Sequence, residues 1–250
     1  MKLHTPVLVA FALVVSMWFV AGPLSYMTKE SRDAASNPAA VVATSVNVVI
    51  PKNNGITKQV ALSQKQLLAL ADNLYQDGTV PLGDNKYSTT VAKKGAIYLC
   101  NARKDAAGSK VSGPWIDGQT WNFKEKLAIS GSVLWPTATF TNVLSGSTRT
   151  ISTNALPVSH TTGLFPVGRN DPASAYDANP NSISAQSITK KLPANPVYSE
   201  TPYCMGGEVG IMLTGVPLFN AFDAGLRDAP AHELQDACDG HPQGSGQYHY

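Results

Sequence analysis

The sequence predicts a mainly-β, sandwich-like fold with two short helices, and three features of it carry that expectation. From residue 46 onward, short runs alternate apolar and polar residues, the period-two pattern of half-buried strands. Gly, Pro, Ser and Asn clusters punctuate these runs, with 20 glycines and 17 prolines in the 250 residues. A helical repeat is clear only once. Hydrophobic residues make up 43%, ample for a packed core, while only 14% are charged, the weakly charged surface common in exported β-rich proteins. Lys and Arg are scattered singly and the net charge is +2, so no basic stripe can follow a phosphate backbone. Nucleic acid is therefore not an expected partner.

Residues 7–21 run apolar and uncharged behind Lys2, the pattern of an export signal. The run is shorter than the roughly 20 residues a spanning helix needs, and no clean small-x-small cleavage site follows it. Residues 1–25 are thus a signal peptide or an uncleaved signal anchor, and the chain is expected in the periplasm or outside the cell. Its only membrane contact would be the leader, as a single-pass anchor, if the leader is not cleaved. Residues 26–45 are small, polar and Pro-broken, a linker composition. One domain is expected over 46–250.

Within it, residues 46–50 (VNVVI) and 57–62 predict the first strands, separated by a Pro-Lys-Asn-Asn-Gly turn. The firmest helix is expected over 64–76. Ser63 and Gln66 have capping-box spacing, Leu67, Leu70, Ala71 and Leu74 share one face, and Gly78 follows. Residues 96–100 predict a buried strand. Short alternating strands follow at 127–129, 132–135, 139–144 and 148–153, the last two joined through Ser-Gly-Ser, a hairpin signal. Trp115, Trp121, Phe123, Trp135 and Phe140 recur along this part. They suit a sugar-binding platform or ordinary β-core packing, and the lack of an adjacent carboxylate and amide cluster favours packing. Residues 154–199, rich in Pro, Asn and Ser, predict irregular connections. Residues 209–219 read as strand, turn and strand, and Asp228, Pro230 and Glu233 mark a short helix over 230–238.

Chemistry-bearing residues gather at the end of the chain. Cys238, Asp239, His241 and His249 lie within 12 positions, spaced by glycines. If residues 247–250 form a strand, Tyr248 and Tyr250 point one way and His249 the other. His241, His249 and His160 are the candidate metal ligands, of the nitrogen type that suits Zn or Cu, with Asp236 or Asp239 supplying an oxygen or orienting a ring. The other arrangement open to them is a hydrogen-bonded His and Tyr cluster with no ion. G-x-S-x-G, G-x-x-x-x-G-K-[ST], H-E-x-x-H and G-x-G-x-x-G patterns are absent. If the chain is an enzyme, the expected reaction is metal-assisted hydrolysis, with Asp236, Asp239 or Glu208 as weak candidates for the base.

His241-Pro242 followed by GQYHY at 246–250 resembles the hallmark of the YHYH protein family, named for a Tyr-His-Tyr-His run. The likeness continues in GPWIDGQTW (113–121), SGSVLWP (130–136), HTTGLFP (160–166), NPNSI (179–183), CMGGEVGIMLTGVPLFNAFDA (204–224) and AHELQDACDGHP (231–242). These motifs make 96–250 the dense part of the resemblance. It implies an exported domain and brings no assigned reaction. The chain stops one residue short of the last His of the name, which implies a fragment or a terminus lacking part of the motif.

Three cysteines leave an odd one among Cys100, Cys204 and Cys238. A Cys204 to Cys238 disulfide, clamping the two C-terminal segments together, is favoured over thiolate ligation, with Cys100 a buried strand residue or the partner of a cysteine outside the chain. Three function classes follow: a metal-binding envelope domain, a metal-dependent hydrolase, and a non-catalytic module binding surface polymers.

Overall fold

The computed structural model describes the backbone of residues 46–52, 55–62, 75–102, 108–197 and 199–250, and the side chains of those from 75 onward. The leader at 1–25 and the linker at 26–45 lie outside the described residues, as does the helix expected over 64–76 up to residue 74. The fold is mainly β, as its alternating runs require. Among the described residues no helix is long and apolar enough to cross a membrane.

The strands fall into six small sheets among the described residues. β1 (Val46–Lys52) and β2 (Gly55–Leu62) form an antiparallel pair. β3 (Thr79–Pro81) pairs with β7 (Thr120–Asn122), which also pairs with β6 (Ile116–Asp117), while β4 (Tyr87–Ser88) and β5 (Ile97–Tyr98) run parallel. β8 (Phe140–Ser145) and β9 (Thr148–Thr153) form the expected hairpin, with Gly146 at φ 55° in its turn.

The Pro-rich stretch after β9 is less irregular than its composition suggests. Residues 188–193 form β10 (Ile188–Pro193), which adds to the free side of β9. Its six residues, ITKKLP, are mostly exposed and carry no apolar alternation, so the period-two signal is missing. β11 (Glu208–Ile211) and β12 (Pro217–Phe219) follow as an antiparallel pair. Gly215, at φ 85°, closes the connection between them.

The helix expected over 230–238 is a single turn, α1 (Ala229–His232). It stops because the next backbone groups find partners elsewhere. Leu234 N–H donates to the Asp177 carboxylate at 2.9 Å, and the Gln235 carbonyl accepts from Ile129 N–H at 2.9 Å. The chain is pulled out straight and continues to β13 (His241–Pro242) and β14 (Tyr248–His249).

The main core gathers Val80, Leu82, Trp115, Trp121, Ile129, Phe165, Ala173, Ala231 and Leu234. Trp115 and Trp121 are packing residues: both are buried, and the Trp115 Nε1–H donates to the Ala231 carbonyl at 2.8 Å, tying the aromatic strands to α1. Burial of a side chain of this kind contributes about 1.5–3 kcal/mol. Trp135, half-buried, donates its Nε1–H to Thr162 Oγ1 at 3.1 Å.

The cysteine pairing differs from the expected one. Cys204 is bonded to Cys100, 104 residues away, and Cys238 is in no disulfide. The cause lies in the backbone beside it. Leu99 and Met205 form a parallel bridge, with Met205 N–H donating to the Tyr98 carbonyl and Cys100 N–H to the Met205 carbonyl, so residues 100 and 204 stand side by side. Closing so long a loop restricts the unfolded chain, and Cys204→Ala is expected to cost about 2–4 kcal/mol in denaturant unfolding. Alkylation of the denatured chain checks the pairing, with one thiol expected to react before reduction and three after.

Candidate functional site

The C-terminal segment is seated by one carboxylate. Asp236, 3% exposed, accepts from Gly163 N–H (2.8 Å), Cys238 N–H (2.9 Å), Gly240 N–H (3.3 Å) and the Tyr248 hydroxyl (2.9 Å). Burial pushes its carboxyl above the ordinary range, and the hydrogen bonds pull the other way. Two glycines make the approach possible. A Cβ at Gly163 would stand 2.9 Å from the Asp236 Cβ, and one at Gly240 would stand 2.2 Å from the Tyr248 ring. With these donors filling its oxygens, Asp236 serves to position the segment.

β14 then lies between β13 and β12. Its partners in β13 are His241 opposite His249 and Pro242 opposite Tyr248, while Tyr250 N–H donates to Pro217 and Phe219 N–H to Tyr250. Asn179 and Asn181 of the NPNSI motif both donate their side-chain N–H to the Pro242 carbonyl, at 3.0 and 3.3 Å. Strand alternation does the rest. Tyr248 and Tyr250 face one side, edge to face with centroids 5.9 Å apart, and His249 faces the other.

This alternation separates the three histidines expected to act together. His160 lies on the tyrosine side, bonded through Nε2 to the Tyr250 hydroxyl, with Nδ1 2.8 Å from the Thr161 carbonyl. A carbonyl can only accept, so Nδ1 carries the proton and Nε2 accepts from Tyr250. Tyr250 in turn sits 2.9 Å from Thr214 Oγ1. His160 therefore has both ring nitrogens engaged in a Tyr, His and Thr relay.

His241 and His249 do come together. Their ring centroids are 4.7 Å apart, and His249 stacks on Phe219 at 4.0 Å. Both are buried, each 8% exposed. Burial lowers the His249 pKa to about 4 and holds His241 well below the usual imidazole value, with His249 and Lys126 adding to the effect on His241. At neutral pH both rings are uncharged. His249 Nδ1–H donates to the Gln247 carbonyl at 3.2 Å, which leaves Nε2 as the lone-pair nitrogen. His241 Nδ1 is buried with no hydrogen-bond partner.

Glu233 completes the neighbourhood. Its Oε2 stands 3.5 Å from His241 Nε2, and burial, reinforced by Asp223 and Asp177, raises its pKa to about 8. At neutral pH Glu233 is thus largely protonated. Lys126 donates to the Pro230 carbonyl and Gln235 Oε1, and desolvation brings its pKa down to about 8. Asp239, in the left-handed region at φ 61°, is raised to about 8 by burial, with Lys126 as its opposing charge. Glu208 lies apart from this group, paired with Lys190 at 2.7 Å between β11 and β10.

His232, whose position early in the short helix suggests a solvated or capping side chain, is buried, and its Nε2 lies 3.0 Å from both oxygens of Asp84. Asp84 also accepts from Asp228 N–H, so the pair fixes α1 against the loop before β4. Glu233 and Lys126 carry no spacing signal as site residues. Glu233 reads locally as a favourable charge at a helix start, and Lys126 as one of the scattered surface lysines.

No family model, curated protein or solved structure matches the chain. Among the described residues no group of three or more His, Cys, Asp or Glu side chains stands as an ion-holding cluster. The site is therefore read from its own geometry: a buried pair of neutral imidazoles, a protonated carboxyl beside them, and a tyrosine face that locks the strand. Tyr248→Phe removes the one side-chain donor to Asp236 and is expected to lower stability by about 1.5–3 kcal/mol, measured by denaturant unfolding.

Proposed function

We propose that the protein is an exported domain of the YHYH family that holds a transition-metal ion, of the Zn or Cu class, at His241 and His249. The observation that carries this reading is the buried His241 and His249 pair, with Nδ1 of His241 lacking any partner. An unsatisfied buried polar atom costs about 1–3 kcal/mol, and a pair of neutral imidazoles gives a β-core nothing that a leucine pair would not. Imidazole is a favoured ligand of both ions and must be uncharged to bind. The depressed basicity of both rings means that protons do not compete at neutral pH.

Glu233 flanks the pair. Its Oε2 is 3.5 Å from His241 Nε2, the ring nitrogen other than the unpartnered Nδ1. The set is thus two rings, in place of the three histidines expected. Bringing Glu233 onto an ion as well would require its proton to leave and its side chain to shift.

A metal-dependent hydrolase is the second reading, favoured by Glu233. Burial raises the Glu233 carboxyl in the ion-free protein, which makes its proton the one a general acid at this site would give. Its base would come from this group, since Asp236 is filled by donors and Glu208 lies in an ion pair.

Elemental analysis after exposure to Zn or Cu, with chelator-free washing, tests the site. Near-stoichiometric metal is expected in the unaltered chain and loss of it in a His241→Ala, His249→Ala double variant. Equal metal in both would end the metal reading. Turnover abolished by chelation would select the hydrolase.

A further inference from the structure

The face of the C-terminal hairpin that carries the imidazole pair holds a second unpartnered polar atom. The alternation that turns His249 away from the tyrosines turns Gln247, two residues earlier, the same way. Gln247 lies opposite Gln243, two positions along from the His241 and His249 pair: its carbonyl accepts from Gln243 N–H at 3.1 Å, and its side-chain Oε1 from Gln243 Nε2–H at 3.2 Å. That second bond puts both glutamine side chains on one face. Same-face neighbours along a strand stand about 6.5–7 Å apart, a gap that a glutamine side chain can bridge. With Oε1 taken by Gln243, the amide Nε2 is left as a donor, and it is buried without a partner, as is Nδ1 of His241. The hairpin tip beyond, Gly244 and Ser245, is exposed, so along the hairpin the glutamines stand between solvent and the imidazoles.

We propose that Gln247 recognises an outside ligand of the ion, a small carboxylate, one oxygen of which binds the ion while the other accepts the Gln247 Nε2–H. This rests on the reading of His241 and His249 as ion ligands and adds the class of what binds beside them. Charge and shape select the carboxylate. A ligating imidazole is neutral, so two of them leave the charge of a buried divalent ion uncompensated, and an anion offsets it. Glu233 stands at Nε2 of His241, the ring nitrogen other than the unpartnered one. An amide N–H demands an acceptor, and a flat head with two oxygens gives one to the ion and one to the amide. A tetrahedral dianion such as sulfate would bury further oxygens with no donor to meet them.

Acetate added to the copper-loaded full chain is the test. The visible absorption of bound Cu(II) reports a new oxygen ligand, and the unaltered chain is expected to give a saturable shift with acetate and none with sulfate. Compared at equal copper content, Gln247→Leu is expected to weaken acetate binding about tenfold or more, as loss of an N–H to a charged acceptor does. A second measurement needs no variant: in the zinc-loaded unaltered chain, the Gln247 side-chain amide is expected to move in proton and nitrogen-15 spectra as acetate binds. Metal uptake with no acetate response, an equal response to sulfate, equal acetate affinity in Gln247→Leu or an unmoved Gln247 amide would overturn the proposal and leave the ion site standing. No metal uptake would overturn both.

Discussion

The C-terminal half of this chain depends on the Asp236 carboxylate. It gathers hydrogen bonds from the Gly163 loop, from the turn at residues 238–240 and from the Tyr248 hydroxyl, three segments far apart in sequence or direction. A buried carboxylate without donors is expensive, so the fold that places Asp236 there must bring all of its partners with it. That requirement accounts for the two glycines, 163 and 240, whose missing Cβ atoms leave room for the acid and for the tyrosine ring. It also sets the register of β14 against β13 and, through Tyr250 and Pro217, against β12.

From that register comes the division of labour among the aromatic residues. Successive side chains of a strand face opposite ways. Tyr248 and Tyr250 turn to the buried hydrogen-bonded side, one to Asp236 and one to His160. His249 turns to the other, where it stacks on Phe219 and meets His241, with Glu233 beside that ring. The hydrogen-bonded His and Tyr cluster and the imidazole pair proposed to hold an ion therefore occupy opposite faces of one strand. The tyrosines hold the strand in place. The imidazole pair is what the strand presents.

Much of this was legible in the residues, because it rests on local rules. The hairpin at 139–153 follows from alternation and its Ser-Gly-Ser turn, and the opposed faces of Tyr248 and His249 from strand geometry alone. What was illegible depends on contacts between distant segments. The partner of Cys204 is fixed by the Leu99 and Met205 bridge, which no spacing reveals. Glu233 looks like a helix-start charge until Asp177 takes the Leu234 N–H and ends the helix one residue before it. His160 is a natural third ligand by residue type, and only its bonds to Thr161 and Tyr250 show that its lone pair is used. β10 escaped because an exposed edge strand needs no apolar alternation.

Nitrogen-15 spectra of the histidine rings, recorded with and without zinc, would show which imidazoles an ion touches. Each neutral ring reports which nitrogen carries the proton, and a bound ion moves the nitrogen it touches. Zinc is expected to shift the ring nitrogens of His241 and His249 and to leave His160 and His232 in their zinc-free tautomers. A shift at His160, or no shift at His241 and His249 when zinc is bound, would contradict the proposed site.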